Sequence, residues 1–172
     1  MTQGKYKFSW GLLGDISLGR PNLGPDIRLE VYRLMQFTLK DILEKNFGAD
    51  KADSLFYDAG KLAGMEFYKN TLSHIKDFDE FIKELQKTFI ELKIGILRIE
   101  LADMAKGLIV LTVSEDVDCS GLPNLDTEVC IYDEGFIAGL LESFTGTPFK
   151  VKEIDCWCSG DHICRFTAQA GA

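Results

Sequence analysis

The chain has 172 residues, of which 46% are hydrophobic and 27% are charged, with four prolines. This length suits a single domain over residues 1–172, and the apolar content excludes a disordered or collagen-like chain. A formal charge of −8 argues against nucleic acid or anionic membranes as partners, because both attract basic surfaces. No apolar run approaches the roughly 20 residues of a membrane span. The first ten residues lack the apolar core of a secretory signal, so we expect a cytoplasmic protein.

Apolar residues recur with a helical period in some segments and with a strand period of two in others. The predicted elements, in chain order, are a short strand and a turn within 10–24, helices at 25–48, 50–70 and 77–92, strands at 97–101 and 107–113, a helix at 130–144, and strands at 149–158 and 162–169. Gly60 and Gly64 form a small-residue stripe that suits close helix packing, and Asp77 is the expected cap of the third helix. The order ααα-ββ-α-ββ predicts an α+β domain, with an antiparallel sheet of two hairpins packed against helices.

Residues 114–128 are polar and predict a loop between a strand and a helix. The acidic run Glu115–Asp118 offers carboxylates that suit a cation, but a solvated loop is the simpler interpretation. The sequence contains no glycine-rich nucleotide fingerprint, Walker loop or nucleophile elbow. Reductase chemistry therefore has no visible electron source in this chain.

Five cysteines, four of them in the last 43 residues, are the most informative feature of the composition. With no sign of export, a thiolate metal site or a redox site is favoured over a disulfide framework. If the last hairpin turns at Gly160, Cys156 lies opposite Cys164, with Cβ atoms ~4.5–5.5 Å apart. Cys158 and His162 then share that face, which gives one candidate set of four zinc ligands. The alternative is that the cysteines are small buried hydrophobic residues.

The strand before these cysteines changes its alternation near Glu153. Phe149 and Val151 have one parity, whereas Ile154 and Cys156 have the other. A β-bulge would explain the change and would turn Glu153 toward the face that carries Cys156. A strand that begins only at Lys152 would explain it equally well.

The region 130–166 resembles the signature of the 4-vinyl reductase domain family. The family pattern is Glu-x2-Cys-x3-Gly-Asp-x2-Cys-x-Phe, and every position is present: Glu153, Cys156, Gly160, Asp161, Cys164 and Phe166. In phenol-sensing regulators that contain this domain, an upstream cysteine joins the Glu and both Cys as ligands of a structural zinc. The resemblance therefore implies a second zinc set, Cys130, Glu153, Cys156 and Cys164, which omits Cys119, Cys158 and His162. Because protein fills all four positions in such a site, no catalysis by the metal is expected.

The resemblance also implies what the domain does. Family members use an apolar cavity for small molecules, and their fold is similar to that of TRAPP-complex subunits and of the NO-signalling and Golgi-transport ligand-binding domains. We therefore expect a sensor or carrier for a hydrophobic ligand (aromatic, isoprenoid or acyl) that forms a homodimer and is more likely not an enzyme. The alternatives are a reductase of tetrapyrrole vinyl groups with a separate electron donor, and an interaction module that binds no ligand. Aromatic residues on the second and third helices are expected to form core.

Overall fold

The computed structural model describes residues 6–171. It contains five α-helices and four β-strands, with 3₁₀ turns at Trp10–Leu13 and Trp157–Ser159. The helices are α1 (Ile16–Gly19), α2 (Leu29–Phe47), α3 (Ala49–Phe67), α4 (Phe78–Glu91) and α5 (Ile131–Thr145), and the strands are β1 (Ile96–Asp103), β2 (Leu108–Ser114), β3 (Phe149–Asp155) and β4 (Cys164–Ala170). The predicted α+β class and the order of the main elements are confirmed.

The four strands form one antiparallel sheet in the order β1-β2-β4-β3. Each predicted hairpin is present, and β2 and β4 join the two hairpins along the centre of the sheet. The register of β3 against β4 shifts between Glu153 and Asp155. This shift confirms the predicted bulge: Glu153 is buried, whereas Ile154 points outward.

Helices α3 and α5 approach each other at backbone distance. A Cβ atom added at Gly60 would lie 2.0 Å from the carbonyl oxygen of Tyr132, and one added at Gly64 would lie 2.1 Å from that of Phe136. Gly135 and Gly139 of α5 make the same approach to α3. The predicted small-residue stripe is therefore a helix-packing interface, and its partner is a second glycine pair.

Helix α4 closes the core from the side of β1. The carboxylate of Asp77 accepts a hydrogen bond from the backbone N–H of Glu80 at 3.0 Å, which confirms the predicted cap. Phe81, Leu85 and Phe89 form a buried stripe, and the ring of Phe81 stacks on Phe144 of α5 at 4.4 Å. Most of the aromatic residues of α3 and α4 belong to this core, as expected.

Three predictions about local structure were wrong. The segment at 10–19 forms a 3₁₀ turn and a short helix instead of a strand, because Asp15 caps the N–H of Leu18. Helix α2 begins at Leu29 and not at Pro25. The last hairpin does not turn at Gly160: β3 ends at Asp155, β4 begins at Cys164, and a 3₁₀ turn lies between them, so Cys156 does not pair with Cys164 across the sheet.

The apolar side of α2 lies at the surface. Its exposed residues recur at helical spacing and are Val31, Leu34, Met35, Leu39 and Ile42. Gln36 is the buried residue of this helix. No helix among residues 6–171 has the length and the apolar character that crossing a membrane requires.

Candidate metal centre

Four cysteines meet at one end of the sheet, although they come from four different places in the chain. Cys119 lies in the loop after β2, Cys130 caps the N-terminus of α5, Cys156 follows β3, and Cys164 begins β4. All four are buried, and their Sγ atoms lie within 4.8 Å of one another. We call these four residues the cysteine cluster.

The sulfur distances in the cysteine cluster suit a tetrahedral metal ion. Cys130 Sγ and Cys164 Sγ are 3.8 Å apart, and Cys119 Sγ and Cys164 Sγ are 3.0 Å apart. A Zn–S bond of about 2.3 Å gives a tetrahedral edge of about 3.8 Å. None of the five cysteines forms a disulfide. Hydrogen bonds from the thiols of Cys119, Cys130 and Cys164 hold the pKa of Cys156 well below its usual range, so the cluster favours a thiolate.

A tight turn fixes the position of Cys156. Its backbone N–H donates to Ser159 Oγ at 3.1 Å, and its carbonyl oxygen accepts hydrogen bonds from the backbone N–H groups of Ser159 and Asp161. Gly160 has φ +101°, a conformation that favours glycine. The Gly-Asp pair of the family pattern is therefore the backbone of this turn.

Glu153 lies beside the cysteine cluster and holds one of its members. Its Oε2 accepts the backbone N–H of Cys130 at 3.2 Å, and its buried Oε1 has no hydrogen-bond partner. Burial, followed by the charge of Cys156, raises the pKa of Glu153 to about 8. The carboxyl group is thus in contact with the site but outside the set of four mutually close ligand atoms.

The other two candidates from the hairpin do not join the cysteine cluster. Cys158 is buried, and its carbonyl oxygen accepts the N–H groups of Leu125 and Asp126. Burial raises the pKa of Cys158 to about 12, which favours the thiol. His162 is exposed, and its ring contacts Trp157 edge-on at 4.7 Å.

The structure therefore groups Cys130, Cys156 and Cys164 from the set that the resemblance implies, and it adds Cys119. Sequence reasoning missed Cys119 because it lies outside the family pattern, in a loop whose path the sequence does not specify. Its residue type was the only available signal.

The acidic run before Cys119 is not a solvated loop, which corrects that interpretation. Asp116 and Asp118 are buried, and Asp133 of α5 lies next to them. Burial, followed by the charge of Asp118, raises the pKa of Asp116 to about 7. Burial also raises the pKa values of Asp118 and Asp133. We call these three residues the acidic cluster.

Helix α2 holds the loop that carries Cys119. The hydroxyl of Tyr32 donates to Asp118 Oδ1 at 2.7 Å. The Arg33 guanidinium donates to the carbonyl oxygens of Val117 at 2.8 Å and Ser120 at 2.9 Å. The loop is therefore attached to α2 by polar contacts.

The sheet order, the helices packed on the sheet and the cysteine cluster define a class of domain that is found in sensor and trafficking proteins. Residues 109–170 match the family model of the 4-vinyl reductase domain, which confirms the predicted resemblance to that family over this region. An uncharacterized protein of Methanocaldococcus jannaschii, MJ1642, is 29% identical over 144 residues, which cover 84% of this chain and 78% of that protein.

Three solved structures share the fold. The phenol-responsive sensory domain of the transcription activator PoxR, determined with phenol, has a TM-score of 0.63 at 14% identity, covering 84% of this chain and 75% of that one. A vinyl-4-reductase family protein of M. jannaschii has a TM-score of 0.60 at 18% identity, covering 87% and 85%. Subunit 3 of the trafficking protein particle complex of Naegleria fowleri, covalently bound to palmitic acid, has a TM-score of 0.63 at 14% identity, covering 84% and 95%.

Proposed function

We propose that this chain is a small-molecule-binding domain that holds an apolar ligand between its sheet and α4, while a structural zinc ion fixes one end of the sheet. The observation that supports the ligand site is an apolar interior that meets a surface groove at two side chains. The cysteine cluster supports the zinc. The reduced state of all five cysteines suits the expected cytoplasmic location.

The interior between the sheet and helices α4 and α5 contains a small void of about 10 Å³. Its walls are made only of aliphatic side chains, which are Ile82, Leu85, Leu97, Ile99, Ile109, Leu111, Ile137, Leu140 and Leu141. A void of this size has room for about one water molecule, but a wall without polar groups gives water no hydrogen-bond partner. The interior therefore suits an apolar guest, and a guest needs α4 to move outward.

A groove between α4 and β1 leads to this interior. It has a volume of about 260 Å³ and is lined by apolar and polar side chains, which are Phe78, Asp79, Ile82, Lys83, Gln86, Ile99 and Ala102. Ile82 and Ile99 line both the groove and the void. These two side chains are thus the partition between the surface and the interior.

The chemistry of the walls selects hydrophobic ligands. The sensory domain of PoxR was determined with phenol, and the trafficking subunit carries palmitic acid. An aromatic, isoprenoid or acyl group is therefore the expected class here, with any polar end of the ligand facing Lys83 or Gln86 in the groove. Binding would stabilise the conformation in which α4 has moved, which is how a sensor or carrier domain responds.

Titration with phenol and with palmitic acid tests the ligand site, with NMR signals of isoleucine and leucine methyl groups as the readout. We expect one of the two to shift the methyl signals of Leu85 and Ile137. Ile82→Trp should block the partition and weaken that binding about tenfold or more. Ile90→Trp is the matched control, because Ile90 lies on the exposed side of the same helix. Unshifted methyl signals with both probes, or equal binding by Ile82→Trp, would contradict the proposal.

For the zinc site, we propose that the four thiolates of the cysteine cluster are the ligands. Tetrathiolate coordination is an ordinary structural zinc site, and the bound ion supplies a cross-link between elements of the fold. Here it would join a loop, the start of α5 and the ends of β3 and β4. Glu153, a ligand in the set implied by the resemblance, instead orients Cys130 through its backbone N–H, and its unpartnered Oε1 keeps it available as a replacement ligand.

Cobalt substitution distinguishes the two ligand sets, because the absorption bands of Co²⁺ differ between four sulfur ligands and three sulfurs with one oxygen. The wild-type spectrum should be that of four thiolates. Cys119→Ser should change it to a spectrum with a reduced sulfur count, whereas Glu153→Gln should preserve it. Cys158→Ser is the matched control, since Cys158 is buried but outside the cluster. A spectrum altered by Glu153→Gln and not by Cys119→Ser would support the set implied by the resemblance instead.

We also propose that α2 pairs with α2 of a second copy. Its exposed stripe contains Leu34, which is 68% exposed, and runs along a 19-residue helix of about 28 Å. The chain carries a charge of −8, but α2 has three acidic and three basic residues. Two copies can therefore meet along α2 without the repulsion that other surfaces would add.

A further inference from the structure

The acidic cluster is a second group of potential ligands next to the cysteine cluster. Oxygen atoms of Asp116 and Asp133 and the sulfur of Cys130 all lie within 4.8 Å of one another. The carboxyl of Asp133 also faces that of Asp118. Asp118 is held in place by the Tyr32 hydroxyl, and Asp116 Oδ1 accepts the backbone N–H of Asp118 at 2.7 Å. Three carboxyl groups from two elements thus converge.

Several oxygen atoms of this region have no hydrogen-bond donor. Asp118 Oδ2 and Asp133 Oδ2 are buried and unpartnered. The independent observation is Gln36, which is 8% exposed and is the buried residue of an otherwise exposed helix. Its amide group lies against the Asp118 carboxyl, yet its Oε1 is also buried without a partner. A buried acceptor costs about 1–3 kcal/mol when nothing donates to it, so three together indicate an electropositive occupant.

The charges of the region lead to the same conclusion. The Arg33 guanidinium lies against Asp118 and offsets one of the three carboxylates. Two negative charges remain, and a thiolate cluster nearby adds to them. A divalent cation would neutralise the remainder of the acidic cluster. Carboxylate and amide oxygens are ligands for a hard cation and poor ligands for a second zinc in competition with thiolates.

We infer that the acidic cluster, together with Gln36, binds a hard divalent cation of the Mg²⁺ or Mn²⁺ type, at a site separate from the zinc site. Asp116, Asp118 and Asp133 supply carboxylate oxygens, and Gln36 Oε1 supplies a neutral oxygen. The cation would fix α2 to the loop that carries Cys119 and to the first turn of α5.

Manganese is the probe, because its paramagnetism reports binding directly and because it does not displace zinc from thiolates. The purified protein with its zinc retained is titrated with Mn²⁺ to about 1 mM, with electron paramagnetic resonance counting the free ion. We expect one bound Mn²⁺ per chain and a rise in melting temperature with Mn²⁺. Mg²⁺ should compete for the same site.

Two variants and one control complete the test. Asp133→Asn should weaken Mn²⁺ binding about tenfold or more. Gln36→Leu should weaken it without a change in charge, which separates ligation from general attraction. Asp126→Asn, an exposed residue of the same loop, should bind Mn²⁺ like the wild type. Absence of Mn²⁺ binding by the wild type, or equal binding by Asp133→Asn and Gln36→Leu, would show that protons and not a cation satisfy the cluster. Zinc content, measured in parallel, separates failure here from failure of the zinc site.

Discussion

Helices α4 and α2 have the same kind of apolar periodicity but opposite surroundings. In α4 the stripe is covered by the sheet and α5, and Leu85 is 4% exposed. In α2 the stripe faces outward, and Leu34 is 68% exposed. The helical period thus identifies an apolar face, but it does not say what covers that face.

The two helices also differ in how they are attached to the rest of the molecule. Apolar contacts fix α4, including the stacked rings of Phe81 and Phe144. Polar contacts from Tyr32 and Arg33 fix α2 to the loop that carries Cys119. The attachment of α2 therefore depends on the metal end of the domain, whereas that of α4 depends on the apolar interior.

The largest expected difference between the helices is in the cost of a leucine. Leu85→Ala should lower the free energy of unfolding by about 2–5 kcal/mol, because it leaves a cavity in the core. Leu34→Ala, the same change on α2, should alter it by no more than about 0.5 kcal/mol in the monomer. Urea unfolding at a low protein concentration measures both. Similar losses for the two variants would show that α2 is covered within the same chain.

The glycine interface between α3 and α5 gives the next largest effect. Gly135→Ala places a methyl group 2.0 Å from the carbonyl oxygen of Tyr57, and backbone cannot move aside cheaply. We expect a loss of about 1–3 kcal/mol in thermal or urea unfolding. Gly19→Ala is the control, since its added Cβ would meet no atom within 4 Å. An unchanged stability for Gly135→Ala would mean that the two helices are not held this closely.

Removal of the Arg33 side chain tests the polar attachment of α2. Arg33→Met leaves three carbonyl oxygens of the loop without their donor, so we expect a loss of about 1–2 kcal/mol and faster release of zinc to a chelator. Arg28→Met, which removes an exposed arginine at the start of the same helix, should change neither quantity. Equal chelation rates for Arg33→Met and wild type would separate α2 from the metal end.

The smallest effect on the stability of the chain itself should come from a charge on the α2 stripe. Leu34→Asp should leave the monomer folded but abolish the proposed dimer, because two buried carboxylates would face each other across it. Analytical ultracentrifugation measures the outcome, and Ile90→Asp on the exposed side of α4 is the control. A dimer that persists in Leu34→Asp would place the interface elsewhere.

Sequence reasoning predicted the elements whose signals are local. Asp77 as a helix cap, Gly48 and Gly146 as helix ends and the bulge near Glu153 each depend on a few neighbouring residues. The last hairpin failed because the alternation of Cys156, Cys158 and Cys164 suited a continuous strand. Hydrogen bonds between Ser159 and the backbone of Cys156 favour a 3₁₀ turn there instead.

The candidate site was predictable only in part, because its residues meet through the fold. The family pattern identified Cys130, Cys156 and Cys164, which the structure brings together. Cys119 and the burial of Asp116 and Asp118 depend on the path of a loop held by α2. No periodicity encodes that path, and a run of acidic residues is ordinarily solvated.

Native mass spectrometry of the untagged protein as purified tests the central claim most directly, since one spectrum reports metal content and assembly. We predict one zinc ion per chain in a dimer, with retention of zinc greatly reduced in Cys119→Ser and unchanged in Cys158→Ser. A folded chain that carries no zinc, or one that retains zinc fully without Cys119, would contradict the account of the cysteine cluster as a four-thiolate metal centre.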